Sequence, residues 1–227
     1  MAIVVFAVAV LLIVFGPGIW VKRTLARYSR PANRYSGSGA ELARHLLDKH
    51  ELRNVAVEET DTGDHYDPQA KAVRLSSENF NGRSLTAITV AAHEVGHALQ
   101  DASGYAPLRL RTRLVKATRG IEKLGAGILI VAPVAAALTR APGVAALMFI
   151  GGLLTLATAT LVHLITLPTE FNASFARALP MLDRHGILKK VDYPHATRIL
   201  RAAAMTYVAA SLMSLLNIAR WLAILRR

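Results

Sequence analysis

The sequence predicts a mostly helical α+β fold that combines a small antiparallel sheet with about four transmembrane helices. Three observations lead to this prediction. Apolar residues make up 53% of the 227 residues, and they are concentrated in long uncharged runs that alternate with charged segments. Residues 54–60 and 72–76 show the alternation of short β-strands. Between the apolar runs, a capping-box spacing at Ser38 and Glu41 indicates the start of an amphipathic helix.

The first element is an apolar run at residues 2–20, which is long enough to cross a bilayer core of about 30 Å. No basic segment precedes it and no small-x-small site follows it, so a cleaved signal peptide is disfavoured. Five basic residues follow directly in VKRTLARYSRPANR. By the positive-inside rule, the N-terminus faces outward and the next segment lies in the cytoplasm.

That cytoplasmic segment contains the predicted sheet and three helices, of which the first is the amphipathic helix that begins at Ser38. NVAVEET and AVRLS, at residues 54–60 and 72–76, are expected to pair in antiparallel fashion, with the intervening DHYDPQAK as a turn. A buried helix is predicted from about residue 84 to residue 101. Residues 105–123 are basic and partly amphipathic, which favours a helix close to lipid headgroups.

The C-terminal half contains three further apolar runs, at residues 124–138, 143–166 and 202–225, the last interrupted by Arg220. TRAP, between the first two runs, is long enough only for a tight turn between antiparallel helices. The predicted division is an N-terminal transmembrane helix at 1–20, a cytoplasmic domain at 21–119, a transmembrane hairpin at 120–167, a cytoplasmic segment at 168–201 and a C-terminal transmembrane or membrane-packed helix at 202–227.

The composition excludes some classes of protein. The net charge of +12 raises the question of nucleic acid, but no nucleic-acid-binding motif is present and aromatic residues are too few for base stacking. The basic residues flank the apolar runs instead, a pattern typical of contact with anionic lipid headgroups. The chain has no cysteine, so disulfides and thiolate ligands are excluded and any metal site must use histidine and carboxylate.

One motif indicates chemistry. TVAAHEVGHALQ places His93 and His97 four residues apart, so on a helix both imidazoles can bind one Zn²⁺. Glu94 lies beside the first ligand and can take a proton from a metal-activated water. The alternative is a buried structural helix with two hydrogen-bonded histidines. Gly96 costs a helix about 1 kcal/mol relative to alanine, which indicates metal access or a close helix crossing.

The motif requires a third ligand on the same side of the membrane as His97. Two apolar runs separate His97 from Glu170, which lies just after a predicted span and is therefore the preferred candidate. The alternative role for Glu170 is an interfacial carboxylate near a helix terminus. Asp183 and Asp192 are rival ligands in more polar surroundings. Ser174 would share the Glu170 face of a helix and could hold a ligand in place.

Three segments together resemble a known family. AAHEVGHALQ, DHYDPQAKAVRLS and LPTEFNAS, in this order, are similar to the YugP-type neutral zinc metallopeptidases, which are bacterial membrane proteins. The resemblance covers most of the chain. It implies one Zn²⁺ per chain, held by His93, His97 and Glu170, with Glu94 as the catalytic base. The chain is also similar in plan to HtpX-type membrane proteases, which usually carry an acid where this chain has Ser174.

The resemblance implies a zincin-like catalytic domain on a multi-pass protein of the bacterial inner membrane, facing the cytoplasm and cleaving polypeptides, among them membrane proteins. Zincin-like peptidases bind substrate as an added strand, so the strand at 72–76, with Arg74, is the expected edge. It could equally be a strand that only covers the core. His65 and Tyr66 are candidates for stabilising the oxyanion, although turn chemistry also explains their segment.

The favoured function is therefore a membrane-embedded zinc metallopeptidase. One alternative is a non-catalytic membrane scaffold that binds zinc structurally, and another is a zinc hydrolase with a non-peptide substrate. Glu94 argues against the scaffold, because a structural zinc site does not need a carboxylate next to its ligands.

Overall fold

A computed structural model of the chain describes residues 2–118, 127, 131, 134 and 142–225. Its elements are, in order, α1 (Ala2–Tyr28), α2 (Gly39–Lys49), β1 (Ala56–Glu59), β2 (His65–Asp67), β3 (Ala72–Leu75), α3 (Ser77–Phe80), α4 (Leu85–Ala102), α5 (described over 106–118), α6 (Pro142–Phe171), a π-helix (Asn172–Ala178), α7 (Leu179–Arg184), a 3₁₀-helix (Lys190–Asp192) and α8 (Tyr193–Leu225). The predicted mostly helical α+β class is confirmed.

The chain divides into two compact units. One consists of Met1–Pro17, Leu110–Thr166 and Tyr207–Arg227, and the other consists of Gly18–Arg109 and Leu167–Thr206. The second unit contains the sheet, α2, α4 and the π-helix, together with every residue that the sequence indicates as a metal ligand.

The prediction of about four transmembrane helices is wrong. Within the ranges that the structure describes, no helix is both long enough and apolar enough to cross a membrane. A span requires about 20 predominantly apolar residues in one continuous helix, whereas the prediction counted apolar runs by their composition. The run predicted at 124–138 lies outside the described residues except at 127, 131 and 134, as does most of the turn after it.

The sheet is mixed, not antiparallel as the sequence predicted. Its three strands are ordered β1–β3–β2, with β1 parallel to β3 and β2 antiparallel to it. The sequence analysis missed β2 because this strand is only three residues long and precedes Pro68 in a segment with strong turn signals. The turn itself is present, since Asp67 Oδ1 accepts hydrogen bonds from the backbone N–H groups of Gln69 and Ala70.

β3 cannot be the substrate-binding edge that the sequence suggested. It lies between β1 and β2 and is paired on both sides, so it has no unpaired backbone face for an added strand. Its Arg74 forms ion pairs with both neighbours, at 2.9 Å to Glu58 of β1 and 2.7 Å to Asp67 of β2. The outer strands of the sheet are β1 and β2.

Two helices begin where local sequence signals placed them. Ser38 and Glu41 form the predicted capping box, with the Ser38 Oγ accepting from the Glu41 N–H and the Glu41 carboxylate accepting from the Ser38 N–H. The leucines on the apolar face of α2 are buried: Leu42, Leu46 and Leu47. α4 is capped by Ser84, whose Oγ accepts from the Ala87 N–H at 3.1 Å, and nearly all of its residues are buried.

The π-helix packs tightly against α4. A Cβ atom added to Gly96 would lie 2.7 Å from the carbonyl oxygen of Ala173, a separation that a real side chain cannot adopt. Glycine at this position therefore permits a close approach of two backbones, the second of the two explanations that the sequence left open. π-helical turns are rare and often occur at functional sites. This one begins two residues after Glu170, so the packing brings the end of α6 against the middle of α4.

Candidate metal centre

Two histidines and one carboxylate meet in the interior of this unit. α4 places the rings of His93 and His97 one turn apart, with their centroids separated by 4.8 Å. Glu170, near the end of α6, directs its Oε2 to within 3.3 Å of the His93 Nε2 and 3.2 Å of the His97 Nε2. All three side chains are buried, and their ligand atoms lie within 4.8 Å of one another.

These distances fit a single metal ion bound by all three side chains. Ligand atoms at about 2.0–2.1 Å from Zn²⁺ in a tetrahedral arrangement are about 3.3–3.4 Å apart. The separations between the Glu170 Oε2 and the two imidazole nitrogens, 3.3 and 3.2 Å, agree with this value. Two imidazoles and one carboxylate are also a donor set that zinc favours in sites with an open fourth position. The three residues are thus positioned to bind a metal.

Ser174 determines which nitrogen of His93 faces this centre. The Ser174 Oγ lies 3.0 Å from the His93 Nδ1 and donates its hydrogen to the carbonyl oxygen of Leu200 at 3.1 Å. Because a hydroxyl has one hydrogen, Ser174 must accept from the His93 Nδ1–H. In the neutral imidazole, a hydrogen on Nδ1 leaves the lone pair on Nε2, where a metal can bind.

Gln100 has the same effect on His97. The Gln100 Nε2 donates to the carbonyl oxygen of Thr169 at 2.8 Å and to the Asn172 Oδ1 at 2.9 Å, which establishes the orientation of the amide. Its Oε1 therefore faces the His97 Nδ1, 2.9 Å away, and can only accept. In the neutral imidazole of His97 the lone pair is likewise on Nε2, so Ser174 and Gln100 both favour the tautomer that can bind a metal.

Glu94 lies on the same helix, directly after His93. Its side chain is buried, with 6% of the residue surface exposed. A buried carboxylate is costly unless polar groups or charges surround it. Its position beside a group of metal-binding side chains is therefore a feature of the site and not of an ordinary helix interior.

The other sequence candidates are not part of this group. The hydroxyl of Tyr66 donates to the Asp101 carboxylate at 2.7 Å, and Lys71 contacts the same oxygen at 2.5 Å. Burial, reinforced by the bond to Asp101, raises the pKa of Tyr66, so its hydroxyl stays protonated. The His65 Nδ1 lies 2.8 Å from the carbonyl oxygen of Gly63, and Arg74 pairs with two carboxylates of the sheet.

The rival ligands lie elsewhere. Asp183 is exposed, whereas Asp192 is buried in an ion pair with Arg34. Sequence reasoning missed Gln100, which contacts His97, and Asn172, which contacts Gln100. Gln100 follows His97 by three residues, a helical spacing that could have indicated the contact, whereas no local spacing connects Asn172 with the motif.

Comparisons with known proteins show which family the chain resembles. The sequence model of the family described as "Putative neutral zinc metallopeptidase" matches residues 3–226. A relative from Bacillus subtilis (strain 168), named "Putative membrane protease YugP", is 36% identical over 238 residues, an alignment that covers 99% of this chain and 96% of the relative. No solved structure matches the chain significantly.

Proposed function

The chain belongs to the family of neutral zinc metallopeptidases, and from this premise we propose that it hydrolyses peptide bonds at the centre formed by His93, His97 and Glu170. The proposal rests on one observation above all: these three side chains converge in the interior, with Glu94 directly after the first of them. That constellation contains the donors, the open position and the carboxylate that metal-assisted hydrolysis needs.

In this proposal, His93 and His97 hold the zinc through Nε2 and Glu170 holds it through its carboxylate, with one ion per chain. The bound ion supplies a Lewis acid for the substrate carbonyl and lowers the pKa of water toward about 7. Ser174 and Gln100 keep both imidazoles in the required tautomer before the metal arrives. This arrangement avoids a reorganisation of the ligands on binding.

Glu94 acts as the general base in this proposal. It takes a proton from the attacking water and then gives that proton to the nitrogen of the departing amine. Its burial places this proton transfer in surroundings of low dielectric constant, where a charge acts more strongly than in bulk water. A non-catalytic zinc site does not need a carboxylate next to its ligands.

The substrate follows from the family, since a metallopeptidase acts on polypeptides. The Bacillus relative carries the name of a membrane protease, and we propose that this chain too acts at a membrane, on membrane proteins or their tails. Its formal charge of +12 would favour anionic headgroups. Fractionation of cells that produce the chain tests this location, which is contradicted if the chain is recovered without membranes at physiological salt.

Removal of the metal tests the proposed activity. We expect the purified chain to contain one zinc per molecule, to cleave casein and to lose this activity in a chelator such as 1,10-phenanthroline. Addition of stoichiometric Zn²⁺, but not of Mg²⁺, should restore it, because magnesium prefers oxygen ligands in octahedral geometry. Metal analysis and a casein assay measure both effects. Cleavage that persists after complete metal removal contradicts the proposal, and zinc binding with esterase activity alone favours the non-peptide hydrolase.

Gln100→Ala tests the orientation of His97. Loss of the Oε1 acceptor frees the imidazole to rotate and to change tautomer, so we expect zinc affinity to fall about 10–100-fold. Competition with a chromophoric chelator measures the affinity, and circular dichroism checks that the variant is folded. Gln69→Ala, at the only other glutamine and on the surface, is the matched control and should retain wild-type affinity. Equal affinities in the two variants would contradict the role of Gln100.

A further inference from the structure

A cavity of about 230 Å³ lies in the same compact unit as the metal centre but has different walls. Leu85, the first residue of α4, lines it and precedes His93 by eight residues, or about 12 Å along the helix. The cavity is lined by three guanidinium groups. Its lining residues are Arg27, Tyr28, Arg30, Arg34, Leu85, Asp192 and His195.

The single acid in this lining is already neutralised. Asp192 is completely buried and accepts two hydrogen bonds from Arg34, one of them from Nε at 2.7 Å. The hydroxyl of Tyr35 donates to it at 2.7 Å as well. Burial alone would raise the pKa of Asp192, but the bonds from Arg34 and Tyr35 bring it below its usual value. Asp192 is therefore ionised and holds Arg34 in the cavity wall. The pair of Arg34 and Asp192 carries no net charge.

The other two arginines of the lining, Arg27 and Arg30, differ from Arg34. In the part of the chain that the structure describes, Arg27 and Arg30 form no ion pair, and both are exposed at the cavity. The lining also includes His195, whose Nδ1 lies 3.1 Å from the hydroxyl of Tyr28. With Arg34 cancelled by Asp192, the lining carries a net charge of about +2 before His195 is counted.

We propose that this cavity binds a phosphate group. Guanidinium groups offer several N–H donors in a planar fork, which suits the oxygens of a phosphate better than a point charge does. Arg27 and Arg30 alone supply more N–H donors than the two oxygens of a carboxylate can accept, whereas a tetrahedral phosphate presents oxygens in several directions. The N-terminus of α4, whose first residue Leu85 lines the cavity, adds a weak positive potential from the helix dipole.

The size of the cavity agrees with such a ligand. At about 30 Å³ for each water in the liquid, its volume corresponds to about seven or eight water molecules. A phosphate has five heavy atoms, so the space accommodates the group together with the beginning of an ester substituent. The ligand is thus either free phosphate and its small esters or the phosphate of a lipid headgroup, which share the same recognition chemistry.

Calorimetric titration with inorganic phosphate, at constant ionic strength in chloride buffer, tests the proposal. We expect saturable binding by the full chain, with about tenfold lower affinity in Arg27→Gln and in Arg30→Gln, because each variant removes one charge-assisted interaction. Arg53→Gln, which removes an equal charge from an exposed position outside the lining, should bind like the wild type. The titration is repeated on metal-depleted protein, so that phosphate bound at the metal centre is not counted.

Vesicles distinguish the two sources of the phosphate. If the ligand is a headgroup, the wild type should bind vesicles of phosphatidylcholine with phosphatidic acid, free phosphate should compete, and the double variant of Arg27 and Arg30 should bind at least about tenfold less. If the ligand is free phosphate, vesicle binding should be equal in the wild type and the double variant while phosphate binding differs. Absence of saturable phosphate binding, or an equal loss in Arg53→Gln, overturns the proposal. The circular dichroism spectra of all variants establish that they are folded.

Discussion

Glu94→Gln is expected to bind one zinc per chain, as the wild type does, and to cleave casein about a thousandfold more slowly. A positioned general base contributes about 10²–10⁴-fold to a rate, and the amide of glutamine cannot accept the proton of the attacking water. The substitution keeps the volume and the burial of the side chain, so α4 should retain its packing. Metal analysis and the casein assay on the same preparations measure the two properties separately.

Glu78→Gln is the matched control for this variant. Glu78 lies on α3, is exposed and undergoes the same change from carboxylate to amide, so its activity should equal that of the wild type. Equal cleavage by Glu94→Gln and the wild type would exclude Glu94 as the base. Loss of zinc from Glu94→Gln would also contradict its assignment, because it would make this carboxylate part of the metal-binding group.

Glu170→Gln is expected to lose zinc affinity by at least about a hundredfold, and with it all activity. Removal of one ligand of three is a larger change than the loss of a supporting hydrogen bond, which typically costs 10–100-fold. The variant leaves His93 and His97 in place and preserves the size of the buried side chain at the end of α6. Chelator competition measures the affinity, and a thermal melt with and without Zn²⁺ shows whether the metal still stabilises the fold.

The exposed carboxylate Asp183 provides the control for Glu170. Asp183→Asn changes the same functional group at a residue that the sequence left open as a rival ligand, and it should bind zinc like the wild type. If Asp183→Asn loses zinc while Glu170→Gln keeps it, the assignment of the third ligand is wrong. Together, the Glu94 and Glu170 variants separate catalysis from metal binding, since only the second should lose the ion.

Local signals in the sequence identified much of the framework. The capping box at Ser38 and the bounds of α4 are confirmed, because a helix start depends on hydrogen bonds between residues three positions apart. The family resemblance is confirmed as well, by a match over residues 3–226. The count of membrane spans was wrong, because it was made from the composition of apolar runs, and no helix within the described residues is long and apolar enough to cross a membrane.

The sheet was harder to predict than the helices. β1 and β3 were recognised from their alternation, but their parallel pairing and the insertion of β2 beside β3 were not. Pairing partners and strand order depend on which faces are buried against α2 and α4, and a strand of three residues carries almost no periodicity of its own. The consequence for function is direct, since β3 is central and cannot receive an added strand.

The pair of histidines and the adjacent carboxylate could be identified from one stretch of twelve residues, because helical periodicity alone places His93 and His97 on one face. The position of Glu170 could not be identified from periodicity. It was inferred from membrane sides, a premise that the structure does not support, and yet the residue lies 3.2 Å from His97.

That contact depends on packing between segments more than 70 residues apart. Gly96 lets the π-helix approach α4, and Gln100 then binds Thr169 and Asn172 while it orients His97. The cavity of arginines likewise requires α1, α4 and the segment at Asp192 to come together. Periodicity and capping act over a few residues, so the chain's pattern specifies its helices and its chemical motif. Which distant groups meet depends on the shape and burial of the whole unit.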